Sequence, residues 1–239
     1  MGRLWLVRHS QASFLQENYD KLSELGEAQS RLLGEYWVRH KMHFDRVCSG
    51  PCVRQKDTAK IVADNYRKAG LDFPAPVIVN ELDEYSGEAV LKWALPGLLG
   101  RDAGIRKLHQ AFADSRDPAE RRKTFQKLFE AVIGQWVNGE ISPEGVESWS
   151  AFSARVHRGF KTFLSAGGQG ERLAIFTSGG PIALAVQRAL DLSPQNTLRV
   201  SWMAQNCSYS EFIFSRERFT MSTFNSFPHL DDLSMQTYR

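Results

Sequence analysis

The sequence predicts an α/β protein built on a mostly parallel sheet with antiparallel edge strands, and three observations carry that prediction. Short apolar runs at 4–7, 44–48, 76–80 and 172–177 have the length of strands, and the segments between them carry apolar residues at helical spacing. Strands separated by helices need crossover connections, which pair strands in parallel. Near the end, 209–214 and 219–224 flank Ser215-Arg216-Glu217-Arg218 as the arms of a hairpin do, and a hairpin supplies antiparallel edges.

With 239 residues, 42% of them hydrophobic, the chain can bury one substantial core, so a single domain over 1–239 is expected. Lys and Arg exceed Asp and Glu by only +3 and are scattered, which argues against nucleic acid as a partner and leaves small anions. Cys48, Cys52 and Cys207 are too few for a disulfide framework and lack the spacing of a zinc site, so no metal is expected. The opening residues hold no signal-peptide run, no stretch reaches transmembrane length, and Leu6 stands where a myristoylation signal needs Ser or Thr. A cytoplasmic protein with no membrane partner is the expectation.

Taken in order, the first strand ends at Arg8-His9. In open α/β sheets chemistry sits outside the carboxyl ends of strands, and here such an end offers a permanent cation beside a titratable nitrogen nucleophile. An anionic substrate suits that pair. A polar loop follows, then Ser23 as N-cap of a helix with apolar residues Leu25, Ala28, Leu32, Leu33, Tyr36 and Trp37. Phe44 to Cys48 forms the second strand and runs through Ser49-Gly50-Pro51 into a helix from Arg54 to Tyr66. Pro76 to Asn80 forms the third, ahead of the acidic Glu81-Leu82-Asp83-Glu84.

From about 88 to 165 the pattern is helical, punctuated at Pro96-Gly97, Pro118, Gly139 and Pro143-Glu144-Gly145. Asp117-Pro118-Ala119-Glu120 combines an N-cap carboxylate, a proline at the first helical position and a glutamate placed for a capping box, so a helix should run from there to Val137. Trp93, Phe112, Phe125, Phe129 and Trp136 make this insertion a helical cap or layer packed on the sheet, with a partner or dimer surface as the alternative. Arg172 to Thr177 then returns to strand and runs through Ser178-Gly179-Gly180-Pro181 into a helix from Ile182 to Leu190. Strand, glycine turn and helix start together make an anion site by geometry.

Several of these pieces resemble, in order, the motifs of the histidine phosphatase superfamily, also called phosphoglycerate mutase-like. Leu6-Val7-Arg8-His9-Ser10-Gln11-Ala12-Ser13 is similar to its signature, with Ser10 where Gly is usual. Asp20 to Gly26 resembles its Leu-Ser-x-x-Gly helix start, and Ser49 to Ala59 its second arginine motif. Leu82 to Gly87 resembles its acidic segment, and Asn225 to Leu230 its terminal Asn-x-x-x-His-Leu.

The resemblance implies a three-layer α/β/α sandwich and a phosphohistidine mechanism without a cofactor. Arg8 and Arg54 would clamp the phosphoryl oxygens, His9 would attack phosphorus, and Glu84 would be the general acid, with Glu81 as the alternative. The superfamily usually reads Ser-His-Gly where this chain has Thr177-Ser178-Gly179, so Ser178 replaces a second active-site histidine and offers a neutral hydroxyl in place of a cation. Ser178 and Gly179 are then expected at the phosphate. Restoring histidine should raise the single-turnover rate about tenfold, well below the full value of a lost donor because a refilled pocket would be overpacked. His157 is expected to be structural or at the surface, His229 to serve packing, and His40, His43 and His109 to lie on the surface. The implied function is a phosphatase for a small phosphorylated molecule. A phosphoryl-binding protein of faded activity and a mutase-like phosphotransferase are the alternatives, and a homodimer is left open.

Overall fold

A computed structural model describes residues 1–13, 20–165 and 170–238. Part of the polar loop expected after the first strand, 14–19, lies outside the described residues. The chain divides into two compact units, Met1–Glu84 with Arg155–Arg239, and Tyr85–Ala154.

The first unit holds a six-stranded sheet in the order β3-β2-β4-β1-β5-β6. Its strands are β1 (Gly2–Arg8), β2 (Arg46–Ser49), β3 (Val77–Ile78), β4 (Arg172–Thr177), β5 (Tyr209–Phe214) and β6 (Phe219–Ser226). The first four pair in parallel, with Arg8 opposite Thr177, and β5 and β6 add antiparallel at one edge. In β1 the side chains of Leu4, Leu6 and Val7 are 0% exposed, so the strand is covered on both faces. Each such side chain contributes about 1.5–3 kcal/mol on burial, which makes β1 a natural centre for the sheet.

Trp5, Val7, Ala174 and Phe176 point to one face and meet Leu33 and Trp37 of α1 (Glu24–Arg39) and Ala59, Val62 and Tyr66 of α2 (Val53–Lys68). Leu4, Leu6, Leu173 and Ile175 point the other way and are equally buried. On that side α7 (Gly179–Leu190) packs against β1 and β6. The three-layer sandwich follows.

Several boundaries differ from the sequence reading. Strand β2 begins at Arg46 rather than Phe44, and α2 runs from Val53 to Lys68. Strand β3 shrinks to two residues, Val77 and Ile78, which are 63% and 46% exposed; an edge position with no second neighbour makes few demands on length. Helix α7 starts at Gly179, so the glycine pair forms its first turn, where Pro181 needs no intrahelical donor. A further helix, α8 (Pro194–Met203), was not anticipated; the Ser193 hydroxyl caps it by accepting from the Asn196 N–H at 3.3 Å, with Pro194 at its first position.

The second unit contains α3 (Gly87–Arg101), α4 (Ala103–Asp114) and α5 (Pro118–Val137). Pro96 lies inside α3 instead of ending it, because it sits on the exposed side while Val90, Ala94 and Leu98 hold the buried stripe. Helix α5 begins as expected: the Asp117 carboxylate accepts from the N–H groups of Ala119 and Glu120 at 3.0 and 2.8 Å. Trp136 stacks on Tyr85 at 5.2 Å and meets Trp149 edge-on at 5.6 Å. Trp93, counted among the packing aromatics from the sequence, is 48% exposed. Helix α6 spans Trp149–Ser165. Among the described residues no helix is long and apolar enough to cross a membrane.

Candidate active site

β1 and β4 are neighbours in the sheet, and the chain leaves β1 into α1 on one face and β4 into α7 on the other, so the connections part to opposite faces and leave room for a crevice at the carboxyl ends of the two strands. His9 stands just past β1, and its N–H donates to the Thr177 carbonyl of β4 at 2.8 Å.

The His9 ring has a defined tautomer. Its Nδ1 lies 2.8 Å from the Ser10 carbonyl, which can only accept, so Nδ1 carries the hydrogen. Its Nε2 receives the Nε–H of Arg54 at 3.1 Å and therefore holds the lone pair. Burial, then the charges of Arg54 and Arg8, push the imidazole pKa well below 6.5, and the Ser10 carbonyl opposes them. The lowered pKa favours the neutral ring, with its lone pair on Nε2.

Arg54 sits in the first turn of α2, and its Nη1 pairs with Asp20 Oδ1 at 2.8 Å. The same carboxylate accepts from the Val53 and Arg54 backbone N–H groups at 2.8 and 3.4 Å, so Asp20 fixes both the helix start and the guanidinium. Sequence reasoning quoted Asp20 only as the head of a motif. Nothing local marks it as a partner of a residue 34 positions away.

Arg8 is oriented from the other side: its N–H donates to the Ser208 carbonyl at 2.9 Å and its Nη1 to the Ala204 carbonyl. Gly179 accommodates this packing, since a Cβ there would lie 2.8 Å from the Ser201 carbonyl oxygen and 4.0 Å from Arg8 Nε. A side chain there would press on the backbone of α8, which Gly179 leaves clear beside the Arg8 guanidinium.

The β1–α1 connection is held by buried polar residues of α1. Ser10 Oγ lies 2.7 Å from Ser30 Oγ, and Gln29 Oε1 accepts from the Gln11 N–H at 2.9 Å. The Ser10 N–H donates to Thr58 Oγ1 at 3.1 Å, and Thr58 donates to the Arg54 carbonyl at 2.8 Å. These bonds explain why α1 buries Gln29 and Ser30 while Leu32 is only half-buried. They also show how Ser10 is accommodated where the superfamily usually has glycine.

Glu84 follows a short 3-10 turn, Asn80–Leu82, and its Oε2 accepts from the Gly180 N–H at 3.0 Å, at the start of α7. Glu81, the alternative acid, is exposed, and its carbonyl accepts from Arg155 at 2.8 Å. Of the two carboxylates, the one that reaches α7 belongs to Glu84.

Ser178 is 1% exposed and does not cap α7 with its side chain. Its Oγ accepts instead from Gln55 Nε2 at 2.7 Å, while Gln55 Oε1 accepts from the Cys52 N–H at 3.1 Å. Gln55, 0% exposed, is a second residue that sequence reasoning passed over. The structure thus brings Arg8, His9, Arg54, Glu84, Ser178 and Gly179 to the carboxyl end of the parallel strands, linked by these contacts.

No other histidine joins them. His157 lines a groove with Met1, Gly2 and Phe214, at the far end of β1 from His9. His229 is 5% exposed and stacks on Tyr209, and burial lowers its pKa to about 4. His40 and His43 are exposed, and His109 is half-buried. Among the described residues no group of three or more His, Cys, Asp or Glu is arranged to hold a metal ion.

The family model of the histidine phosphatase superfamily (branch 1) matches residues 4–87 and 103–226, and the chain belongs to that superfamily. Among curated proteins compared by sequence, none matches. Solved structures of similar fold include the alpha-ribazole phosphatase from Shigella flexneri, at 20% identity and a TM-score of 0.62, covering 94% of this chain and 96% of that one. The phosphoserine phosphatase from Entamoeba histolytica, in complex with 3-phosphoglyceric acid, is 16% identical with a TM-score of 0.63 over 96% and 100% of the two chains. The phosphoglycerate mutase from Bacillus anthracis is 16% identical with a TM-score of 0.61 over 95% and 94%.

Proposed function

We propose that the protein is a phosphatase that hydrolyses a small phosphorylated molecule through a phosphohistidine on His9. The observation that carries this reading is the His9 ring itself: Nδ1–H tied to the Ser10 carbonyl, and an Nε2 lone pair engaged by Arg54, with the charges of Arg54 and Arg8 keeping the ring neutral. The family membership and the names of the fold relatives, two phosphatases and a mutase of small phosphorylated compounds, support it.

In the first step His9 Nε2 attacks phosphorus, the N–P bond forms and the ester P–O bond breaks. The Glu84 carboxyl gives its proton to the leaving oxygen. Arg54 must release His9 Nε2 to the phosphorus, and its guanidinium then serves the phosphoryl oxygens together with Arg8. In the second step the Glu84 carboxylate takes a proton from water, whose oxygen attacks phosphorus. The N–P bond breaks, phosphate leaves, and His9 regains its lone pair.

A second reading, a phosphoryl-binding protein of faded activity, is favoured by one observation, the neutral Ser178 at a position where the superfamily usually has histidine. Free Cys48, Cys52 and Cys207 support a reducing compartment and hence the cytoplasmic reading.

Rapid quenching of the enzyme with a 32P-labelled aryl phosphate tests the proposal. Wild type should carry acid-labile, alkali-stable label, and His9→Ala should carry none while keeping its circular dichroism. Label on His9→Ala overturns the mechanism. Phosphate binding without label or turnover in wild type establishes the second reading.

A further inference from the structure

We infer that Gln55 is a positioning residue for phosphoryl transfer: its amide fixes the Ser178 hydroxyl so that the hydroxyl proton is presented to a bound phosphoryl oxygen. This rests on the phosphohistidine reading of the same site.

The two ends of the amide are distinguishable by their partners. Oε1 takes the Cys52 N–H at 3.1 Å, which turns Nε2 toward Ser178 Oγ at 2.7 Å. An amide nitrogen only donates, so Ser178 Oγ accepts and its own proton must go elsewhere. It does not go to α7, because a helix start presents N–H donors, which cannot accept it, and the Ser178 side chain makes no bond with them. A hydroxyl donor buried to 1% exposure and left without an acceptor is costly, and a phosphoryl oxygen at the helix start supplies the acceptor.

Gln55 is not free to move away. It is fully buried, and a Cβ at Gly50 would lie 2.2 Å from its Oε1 and 2.8 Å from the Leu82 carbonyl oxygen, so the amide is wedged against a bare backbone. Adjacent residues of one helical turn therefore serve the two flanks of the crevice, Arg54 toward His9 and Gln55 toward Ser178. A histidine at 178 would need the space that the Gln55 amide occupies. The Ser178–Gln55 pair takes the place of one larger cationic side chain with a donor that is neutral and held in one orientation.

The test compares Gln55→Met, which keeps volume and loses the donor, with Ser178→Ala and the double variant. Three quantities are measured: kcat and KM on an aryl phosphate, the affinity for orthovanadate, and the melting temperature. Each single variant should lower kcat and vanadate affinity by about tenfold with KM within about twofold, and the double variant should be no worse than either single one. Multiplying losses in the double variant, or a Gln55→Met protein that loses only thermal stability, overturn the inference. Should wild type prove to lack turnover, the phosphohistidine reading fails while vanadate affinity still decides: coupled losses support the Gln55–Ser178 link, and unchanged affinity in both single variants overturns it.

Discussion

The crevice has two flanks of different chemistry. On the flank built from β1 and α2, Arg8 and Arg54 bring fixed positive charge to His9, and Asp20 ties Arg54 to the start of its own helix at 2.8 Å. On the flank where β4 runs into α7, the groups are the Ser178 hydroxyl, held by the Gln55 amide reaching over from α2 at 2.7 Å, and the Gly180 N–H, on which the Glu84 carboxylate rests at 3.0 Å. In the proposed mechanism, the long-range charge that gathers and holds a phosphate comes from the first flank. The second supplies short, directional contacts, which matter where charge develops on the oxygens or on the leaving group. Losses should therefore be greater and less selective on the first flank.

The largest effect is expected from Arg54→Lys. Arginine reaches His9 through Nε and Asp20 through Nη1 at once, and a single ammonium cannot reproduce that fork. Steady-state kcat/KM should fall by about 100- to 1,000-fold on every substrate, with the melting temperature nearly unchanged. Full activity in the lysine variant would erase the distinction between the flanks, because charge alone would then suffice.

Glu84→Gln should slow formation of the phosphohistidine, read by rapid quench, about 100-fold with an alkyl phosphate and much less with an aryl phosphate whose leaving group needs no proton. Glutamine can still accept from the Gly180 N–H, so the helix start is kept. An equal loss on both substrates would exclude Glu84 as the proton donor, and no loss on either would leave it a cap of α7, a role that glutamine keeps. That would move it from the selective flank to the structural background.

The same two flanks differ in how well the sequence foretold them. Short apolar runs and helical spacing announced the sheet because β1 and β4 are buried on both faces, and the Asp117-Pro118 start of α5 announced itself by local capping chemistry. Arg8, His9 and Arg54 lie at strand and helix ends, where position alone suggests function. Gln55 and Asp20 escaped notice because their roles depend on partners far along the chain, 123 and 34 residues away. No period or propensity encodes such a pairing. Polar α1 residues such as Ser30 likewise went unnoticed, since an amphipathic pattern assigns buried positions to apolar side chains and has no place for a hydroxyl that holds a loop. Helix α8 carries only Thr197, Leu198 and Ser201 as buried residues, too faint a stripe for periodicity to detect.

The smallest effect concerns Ser178→His, and here the packing around Gln55 argues for a different outcome from the one the sequence suggests. Sequence comparison alone suggested a gain of about tenfold from restoring a cationic donor. The Gln55 amide now occupies the adjoining volume, wedged between Gly50 and Ser178, so an imidazole ring would have to displace it or shift β4. Overpacking of this kind costs about 1–3 kcal/mol and offsets the gain in charge stabilisation. Ser178→His alone should therefore lower the single-turnover rate by a few-fold and reduce the melting temperature by several degrees. Combining it with Gln55→Ala removes the obstructing amide and gives the ring room, and this double variant should match or exceed wild type. A Ser178→His protein that gains activity with Gln55 still in place would show that the ring finds another way into the crevice. The neutral flank would then be open space rather than a fitted pair.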